Sequence, residues 1–286
     1  MSASDGVKRD LVQKEQAVLS PLHYVRANIV SYFMLFARKP RYACVTSSCL
    51  HVGAGALGAI VVIIATMMVI DAPAVGTVAH LPLWLIAIFD WLTDFGKSGW
   101  FLAPIALALA TIAVLASPAL PIISRRVLAA FAVRLGFVFS AIALPGLIVT
   151  VVKRVIGRGR PLVGGSADPF LYLPLGWNVE YASLPSGHAT NSFAAAMAIG
   201  ALWPKMRPLL WTYAVVIAMS RVVLTAHFPS DVLAGAATGV AGAALVRAWF
   251  ASRRLAFAPG KNGRIGQLPG PSVGRLKKVA RQLIAP

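Results

Sequence analysis

Acidic residues are scarce in this sequence. Its 286 residues include only nine Asp and Glu against 27 Lys and Arg, and charged residues make up 13% of the chain. A soluble globular domain carries about 25% charged residues. Hydrophobic residues reach 58%, and several apolar runs approach or exceed the roughly 20 residues that a helix needs to cross a bilayer. The composition therefore excludes an ordinary soluble domain and predicts an all-α, polytopic membrane helix bundle.

Cysteine is almost absent as well. Cys44 and Cys49 are the only two, and no spacing typical of zinc ligands is present. They flank the start of the first apolar run, on the side predicted to be cytoplasmic, where disulfides are disfavoured. We therefore interpret both as ordinary small residues.

The formal net charge of +18 makes nucleic acid a partner to consider. The basic residues, however, lie mostly at the chain ends and in short loops between apolar runs, which is the positive-inside distribution of membrane proteins. No motif that combines basic and aromatic residues to read nucleic acid is present. We therefore predict membrane lipids as partners and no nucleic acid, and we make no prediction of oligomeric state.

The apolar runs predict one membrane domain over residues 50–250, in which about six helices cross the bilayer. The predicted spans are 50–71, 101–123, 130–152, 188–203, 209–226 and 230–250. Pro145 is expected to kink the third span, which neighbouring helices tolerate. The spacing of Gly235 and Gly239 lets helices approach closely. Residues 72–100 are interrupted by prolines and charges, so we predict that they lie at the far membrane interface.

Two segments flank this domain. Residues 1–49 are predicted to be a cytoplasmic tail, in which 22–39 form either an amphipathic helix on the inner membrane face or a helix packed on the bundle. Residues 251–286 are basic and rich in Pro and Gly, and we predict a cytoplasmic tail that is disordered or lies on anionic lipid. Because Lys and Arg are concentrated in these flanks and in the loops around Arg125 and Lys205, both termini are predicted to be cytoplasmic.

Three polar clusters fall at the outer ends of the third to sixth predicted spans. They are Lys153-Arg-Val-Ile-Gly-Arg-Gly-Arg160-Pro161, then Pro185-Ser-Gly-His188, and then Ser220-Arg221 followed by His227 and Asp231. Ionisable residues within or at the ends of spans indicate function by default. In a bacterial inner membrane the side on which the clusters meet is the periplasm.

The residue types in these clusters suit phosphate. Lys153, Arg160 and Arg221 would neutralise phosphate oxygens, for which arginine offers a planar fork and lysine a compact charge. Ser186 and the backbone N–H of Gly187 would add neutral donors at the start of a helix, where the first N–H groups lack partners and favour an anion. The clusters therefore predict a phosphate-binding pocket.

Two histidines and one aspartate supply proton chemistry. Because Pro229 fits the first turn of a helix and disfavours helical geometry at the preceding residue, His227 is expected just before the sixth helix and Asp231 in its first turn. Asp231 would hold one ring nitrogen of His227 and leave the other as a nucleophile. His188 would protonate the leaving oxygen.

Simpler interpretations exist for single residues. A lone lysine or arginine at the end of a span is often a snorkelling anchor. Arg154 and Arg158 would contact a second phosphate or a sugar headgroup, or would lie in a solvated basic loop. Asp168 and Glu180 are interpreted as solvated or loop-gating residues and not as metal ligands.

The three clusters together resemble the signature of the type 2 phosphatidic acid phosphatase superfamily, the lipid phosphate phosphatases that share a pocket with vanadium haloperoxidases. That signature is Lys, six residues, Arg-Pro; then Pro-Ser-Gly-His; then Ser-Arg, five residues, His, three residues, Asp. The sequence matches it in order over 153–231. A weaker likeness to many bacterial members is the segment Thr93-Asp-Phe-Gly-Lys-Ser-Gly-Trp100.

The resemblance implies a metal-independent lipid phosphatase that needs no cofactor. The distribution of basic residues predicts that its site faces the periplasm. It implies that His227 forms a phosphohistidine, that Asp231 is its partner and that His188 is the general acid. The phosphate-binding residues that it implies are Lys153, Arg160, Ser186, Gly187 and Arg221. Candidate substrates are undecaprenyl diphosphate, lipid A phosphates, phosphatidylglycerol phosphate and phosphatidic acid. The alternatives are a phosphotransferase that uses the same pocket and a lipid-binding protein without activity.

Overall fold

The computed structural model describes residues 21–41, 49–260 and 264–284, and most of them are helical. The ten helices of this part of the chain are α1 (Pro21–Phe36), α2 (Cys49–Val69), α3 (Asp71–Val78), α4 (Leu83–Thr93), α5 (Gly99–Leu115), α6 (Ile122–Ile156), α7 (Gly187–Leu202), α8 (Arg207–Val223), α9 (Pro229–Ser252) and α10 (Val273–Ile284). Strands β1 (Phe257–Pro259) and β2 (Ile265–Gln267) pair antiparallel, with Ala258 opposite Gly266. The predicted all-α class is confirmed.

Four of the described helical stretches are long and apolar enough to cross a membrane. They are Leu83–Leu115, Ile122–Ile156, Pro204–Val223 and Pro229–Ser252. A fifth is formed if Gly53–Val69 and Asp71–Val78, which are bent by 55° relative to each other, make one broken span. The chain is thus an integral membrane protein by the length and composition of its helices. The predicted count of about six is not confirmed, because α7 has only 16 residues.

Two predicted boundaries were wrong. Residues 72–100 were predicted not to span, yet Leu83–Leu115 forms one span candidate of 33 residues. Its two central charges, Asp94 and Lys97, form an ion pair of 2.8 Å with each other. The second span was predicted to continue to residue 123, but α5 ends at Leu115. Prolines at 118 and 121 disfavour a continuous helix there.

The described residues divide into two compact units. The first unit is formed within residues 21–39, 107–133 and 269–284. In it, Asn28 of α1 donates from Nδ2 to the carbonyl oxygens of Ala113 and Ala116, at 2.9 and 3.0 Å. Ser124 donates to Gln282 Oε1 at 2.6 Å, which connects α6 to α10.

Within residues 251–260 and 264–284, the C-terminal segment forms the end of α9, two short strands and α10. This secondary structure differs from the disordered alternative predicted for the tail. Phe257 of β1 packs its ring 4.7 Å from that of Phe137 in α6, measured between centroids. Arg134 donates to the carbonyl oxygen of Leu268 at 2.9 Å. The aromatic contact and this hydrogen bond hold the hairpin against α6. Composition alone does not predict either contact.

The second unit, residues 40–106 and 134–268, contains all the predicted site residues. Its centre is the contact between α7 and α9. A Cβ on Gly235 would lie 2.4 Å from the carbonyl oxygen of Ser186, and one on Gly239 would lie 2.3 Å from that of Thr190. The close approach predicted from the glycine spacing is confirmed, and it holds the start of α7 against α9.

We expect Gly239→Ala to destabilise the protein by about 1–3 kcal/mol, because the added methyl group overpacks this backbone contact. The measurement is the thermal unfolding midpoint in detergent. Gly58→Ala is the matched control, since a Cβ there meets no atom of the described residues within 4 Å. Equal midpoints for Gly239→Ala and the wild type would contradict the tight α7–α9 contact.

Candidate active site

The three sequence clusters meet through the ends of four helices in the second unit. Lys153 lies in the last turn of α6 and Arg221 in the last turn of α8. Ser186 immediately precedes α7, and its backbone N–H donates to the carbonyl oxygen of Asp231 at 2.9 Å. This bond joins the start of α7 to the first turn of α9. A Cβ on Gly187 would lie 3.9 Å from Lys153 Nζ, so the first and second clusters are adjacent.

The start of α9 has the geometry that Pro229 predicts. Phe228 is extended, with φ −71° and ψ 155°, and Pro229 is the first helical residue. Asp231 Oδ2 accepts the backbone N–H of Phe228 at 2.9 Å, which satisfies a donor at the helix start. His227 therefore lies just before α9, with Asp231 in the first turn, as predicted.

A serine lies between His227 and Asp231. The distance from His227 Nδ1 to Asp231 Oδ2 is 3.8 Å, which is longer than a hydrogen bond. Ser183 donates to Asp231 Oδ2 at 2.5 Å, and its Oγ lies 3.4 Å from His227 Nδ1. With its proton directed to Asp231, this oxygen can accept a proton from Nδ1, which leaves Nε2 as the nucleophilic nitrogen. Asp231 therefore lies at ion-pair distance from His227 on the Nδ1 side, and Ser183, which sequence reasoning missed, bridges the two side chains.

His227 is almost fully buried, with 3% of its surface exposed. Burial lowers the pKa of His227, and Asp231 opposes this shift. The neutral imidazole therefore persists to lower pH than an ordinary histidine would allow. A neutral ring is the form that can attack phosphorus.

The predicted phosphate-binding groups include donors that have no partner among the described residues. The buried atoms Ser186 Oγ, Arg160 Nε and Arg221 Nε are of this kind. Burial lowers the pKa of Arg160, and the charge of Arg154 adds to the effect, while Asp231 opposes it. Buried donors without partners are costly. A bound anion is the kind of partner that such donors accept.

The segment 93–100 contacts two of the predicted site residues, Arg221 and His188. Arg221 donates to Thr93 Oγ1 at 2.6 Å. A Cβ on Gly96 would lie 2.8 Å from His188 Cδ2, so the glycine lets His188 pack closely over the turn. Arg221, His227 and Lys153 also lie close enough to His188 for their charges to act on its ring. The weaker sequence likeness at 93–100 thus belongs to the wall of the site.

Arg158 is the largest departure from the sequence predictions. It was predicted to contact a headgroup or to lie in a solvated loop, and both alternatives were wrong. The side chain is 0% exposed and forms ion pairs with Asp71 at 2.7 Å and Asp231 at 2.5 Å. Asp71 was interpreted as the end of the first span, but it is buried as the first residue of α3. Residues 71 and 158 are 87 positions apart, so no local pattern connects them.

Three further charged residues lie in or beside the loop between α6 and α7. Arg154 donates to the carbonyl oxygen of Trp177. Asp168 Oδ1 accepts the backbone N–H of Phe170 at 2.8 Å, and Glu180 is exposed. Within the described ranges, no group of three or more His, Cys, Asp or Glu is placed to hold a metal ion.

Sequence comparison shows the family to which the chain belongs. A family model described as the PAP2 superfamily matches residues 134–255. The lipid A 1-phosphatase of Rhizobium etli is 31% identical over 175 residues, which cover 61% of this chain and 74% of the relative. That of Rhizobium johnstonii is 30% identical over 196 residues, covering 68% and 79%. The chain belongs to the PAP2 superfamily. The predicted superfamily is thereby confirmed.

Two further proteins are similar to this chain. The decaprenylphosphoryl-5-phosphoribose phosphatase of Mycobacterium tuberculosis is 31% identical over 164 residues, which cover 57% of this PAP2 chain and 78% of the relative. The crystal structure of a transmembrane PAP2-type phosphatidylglycerolphosphate phosphatase from Bacillus subtilis has a TM-score of 0.45 at 18% identity, covering 79% and 94% of the two chains.

Proposed function

We propose that this PAP2 protein is a lipid phosphatase that acts through a phosphohistidine on His227. The observation that carries the proposal is the set of buried donors without partners, Ser186 Oγ, Arg160 Nε and Arg221 Nε. They lie in the same site as a histidine whose Nδ1 faces Ser183 and Asp231. An anion that satisfies these donors would present its phosphorus to a neutral nitrogen nucleophile.

The reaction has two steps. His227 Nε2 attacks phosphorus, the bond to the lipid oxygen breaks, and His188 gives that oxygen a proton. Water then attacks the phosphohistidine, His188 takes a proton from the water, and the phosphorus–nitrogen bond breaks to release inorganic phosphate. Lys153, Arg160 and Arg221 would offset the charge on the phosphoryl oxygens in both steps. We propose that no metal takes part, because the chain's own cations supply this charge.

The loop between α6 and α7 favours a lipid substrate. It displays several large apolar side chains, including Phe170, Leu175 and Trp177, which are 55, 69 and 85% exposed. Leu175 also has a positive φ of 60°, a conformation that leucine rarely adopts. The same loop is held rigidly, since Gly159 N donates to Leu171 O at 2.8 Å and Leu173 N to Gly157 O at 2.7 Å. We infer that this apolar face receives lipid beside the phosphate pocket.

A triple variant tests this face. We expect Phe170→Ser, Leu175→Asn and Trp177→Ser together to raise KM for a lipid phosphate by about 10-fold or more, because apolar contact with the lipid is lost. KM for a water-soluble aryl phosphate should stay unchanged. The control is Ile122→Ser with Ile123→Ser, which are 63 and 68% exposed at the opposite end of α6. Equal losses for the soluble and the lipid substrate would contradict a lipid-binding face.

The names of the relatives suggest which lipid to test first. Lipid A is a glycolipid and phosphoribose is a sugar phosphate, so both names describe removal of phosphate from a sugar in a lipid. We therefore propose lipid A 1-phosphate, or another phosphomonoester on a lipid-linked sugar, as the preferred substrate. The excess of basic residues in the predicted inner segments supports a site on the periplasmic face of the inner membrane.

The deciding experiment is a panel of lipid phosphates assayed for phosphate release by purified protein in detergent with a chelator present. The panel contains lipid A 1-phosphate, undecaprenyl diphosphate, phosphatidylglycerol phosphate and phosphatidic acid. Free phosphate from lipid A 1-phosphate at the highest kcat/KM is the expected result. Labelled phosphate that appears only on an acceptor lipid or sugar would replace hydrolysis with phosphotransfer. Loss of activity with the chelator would overturn the metal-independent mechanism.

A further inference from the structure

We propose that Arg158 and Asp71 are positioning residues that fix the carboxylate of Asp231, and through it Ser183 and His227. The proposal rests on the proposed function, because it assigns a role within the same site. It gives Arg158 a different role from Lys153, Arg160 and Arg221, which are proposed to bind phosphate. All four residues lie in the same loop or at neighbouring helix ends.

All three guanidinium nitrogens of Arg158 donate to protein partners. Nη1 donates to Asp231 Oδ1 at 2.5 Å and to Ser230 Oγ at 2.8 Å. Nη2 donates to Asp71 Oδ2 at 2.7 Å, and Nε donates to the carbonyl oxygen of Pro169 at 2.9 Å. The ring of Phe228 lies 4.5 Å from Cζ. Arg160 and Arg221 differ, because each leaves a buried Nε without a partner among the described residues.

Asp71 completes the arrangement from a different helix. Its Oδ1 accepts the backbone N–H of Ser230 at 2.9 Å, and its Oδ2 accepts the Ser230 hydroxyl at 2.5 Å. The N–H groups in the first turn of a helix have no partner within the helix. Asp71 thus supplies a cap to α9 from the bend between α2 and α3, and it shares Arg158 with Asp231.

One cation therefore serves two fully buried carboxylates. Burial by itself would lower the pKa of Arg158, but Asp231 and Asp71 outweigh burial and raise it. Without Arg158, two carboxylates would face each other in a medium that solvates charge poorly, and one would have to move or take up a proton. Since Oδ2 of Asp231 already accepts from Ser183 and Phe228, a shift of this carboxylate would move Ser183 away from His227.

The test compares Arg158→Met, Arg158→Lys and Asp71→Asn with Arg126→Met, an exposed arginine near the start of α6. We expect Arg158→Met to lower kcat for phosphate release by about 10–100-fold. Losses of this size are typical for residues that contact and orient a functional side chain without touching the substrate. The inhibition constant of inorganic phosphate should be unchanged, because the phosphate-facing donors remain. Arg160→Met should instead raise that inhibition constant.

Three further results are expected. Arg158→Lys should restore part of kcat, because it keeps a cation between the carboxylates. Asp71→Asn should cost less in the Arg158→Met background than in the wild type, because the two residues act as one unit. Arg126→Met should leave kcat unchanged.

The outcomes separate the two proposals. Unaltered kcat in Arg158→Met, or a rise in the phosphate inhibition constant that matches that of Arg160→Met, would overturn the positioning role and leave the phosphatase intact. If the wild type releases no phosphate from any lipid of the panel, the proposed function and the role of Arg158 fail together. Should Arg158→Met not fold, Arg158→Lys and Asp71→Asn carry the same comparison of kcat with the inhibition constant.

Discussion

Replacement of His227 by Ala is expected to lower kcat for phosphate release from the lipid substrate by about 10⁴-fold or more, as for loss of other enzymatic nucleophiles. The reason is that the attacking atom itself is lost. Ser183 lies on the Nδ1 side of the ring, 3.4 Å away, so Nε2 is the nitrogen available for attack. Burial also lowers the pKa of the ring, which favours the neutral form that can attack.

Covalent trapping tests the same residue directly. Protein mixed with a lipid carrying labelled phosphate and quenched rapidly should carry label on wild-type chain and none on His227→Ala. The label should be lost in acid and kept in alkali, as a phosphorus–nitrogen bond requires. His80→Ala is the matched control, because His80 is exposed and its ring bonds the Gly76 carbonyl oxygen at 2.9 Å. Label retained by His227→Ala, or label that alkali removes, would place the phosphoryl group on another residue.

The sequence predicted the parts of the site that depend on local chemistry. The position of Asp231 in the first turn of α9 followed from Pro229, since proline fixes where a helix begins. The close contact of α7 with α9 followed from Gly235 and Gly239. The membrane class followed from composition. Each of these predictions needs only residues that lie within one segment.

The rest of the site depends on pairings between distant segments. Nothing near Asp71 indicates that it meets Arg158, and nothing near Ser183 indicates that its hydroxyl faces both His227 and Asp231. The α2–α3 bend of 55° that brings Asp71 inward is a tertiary feature. The span candidate Leu83–Leu115 was missed for a related reason, because Asp94 and Lys97 pair with each other only once the turn between α4 and α5 forms.

The second large effect is expected for His188→Ala, and it should depend on the leaving group. A lipid alcohol is a poor leaving group, so loss of the proton donor should slow transfer of phosphate to His227 by about 10²–10⁴-fold. An aryl phosphate with an acidic phenol leaves without a proton. Transfer from such a substrate should therefore be nearly unchanged, while the second step slows because His188 no longer takes a proton from water.

Rapid-mixing measurements separate these steps. His188→Ala should release one equivalent of phenol per protein in a fast burst and then turn over slowly, whereas lipid phosphate should give no burst. Arg221→Met is the contrast, since its charge acts on the phosphoryl oxygens and its loss should slow transfer from both substrates alike. If His188→Ala slows transfer from aryl and lipid phosphate equally, then His188 binds the phosphate and does not protonate the leaving oxygen. His188 packs beside Gly96, and the charges of Arg221 and Lys153 act on it. Because both roles fit this position, the leaving-group test is the one that distinguishes proton transfer from phosphate binding by His188.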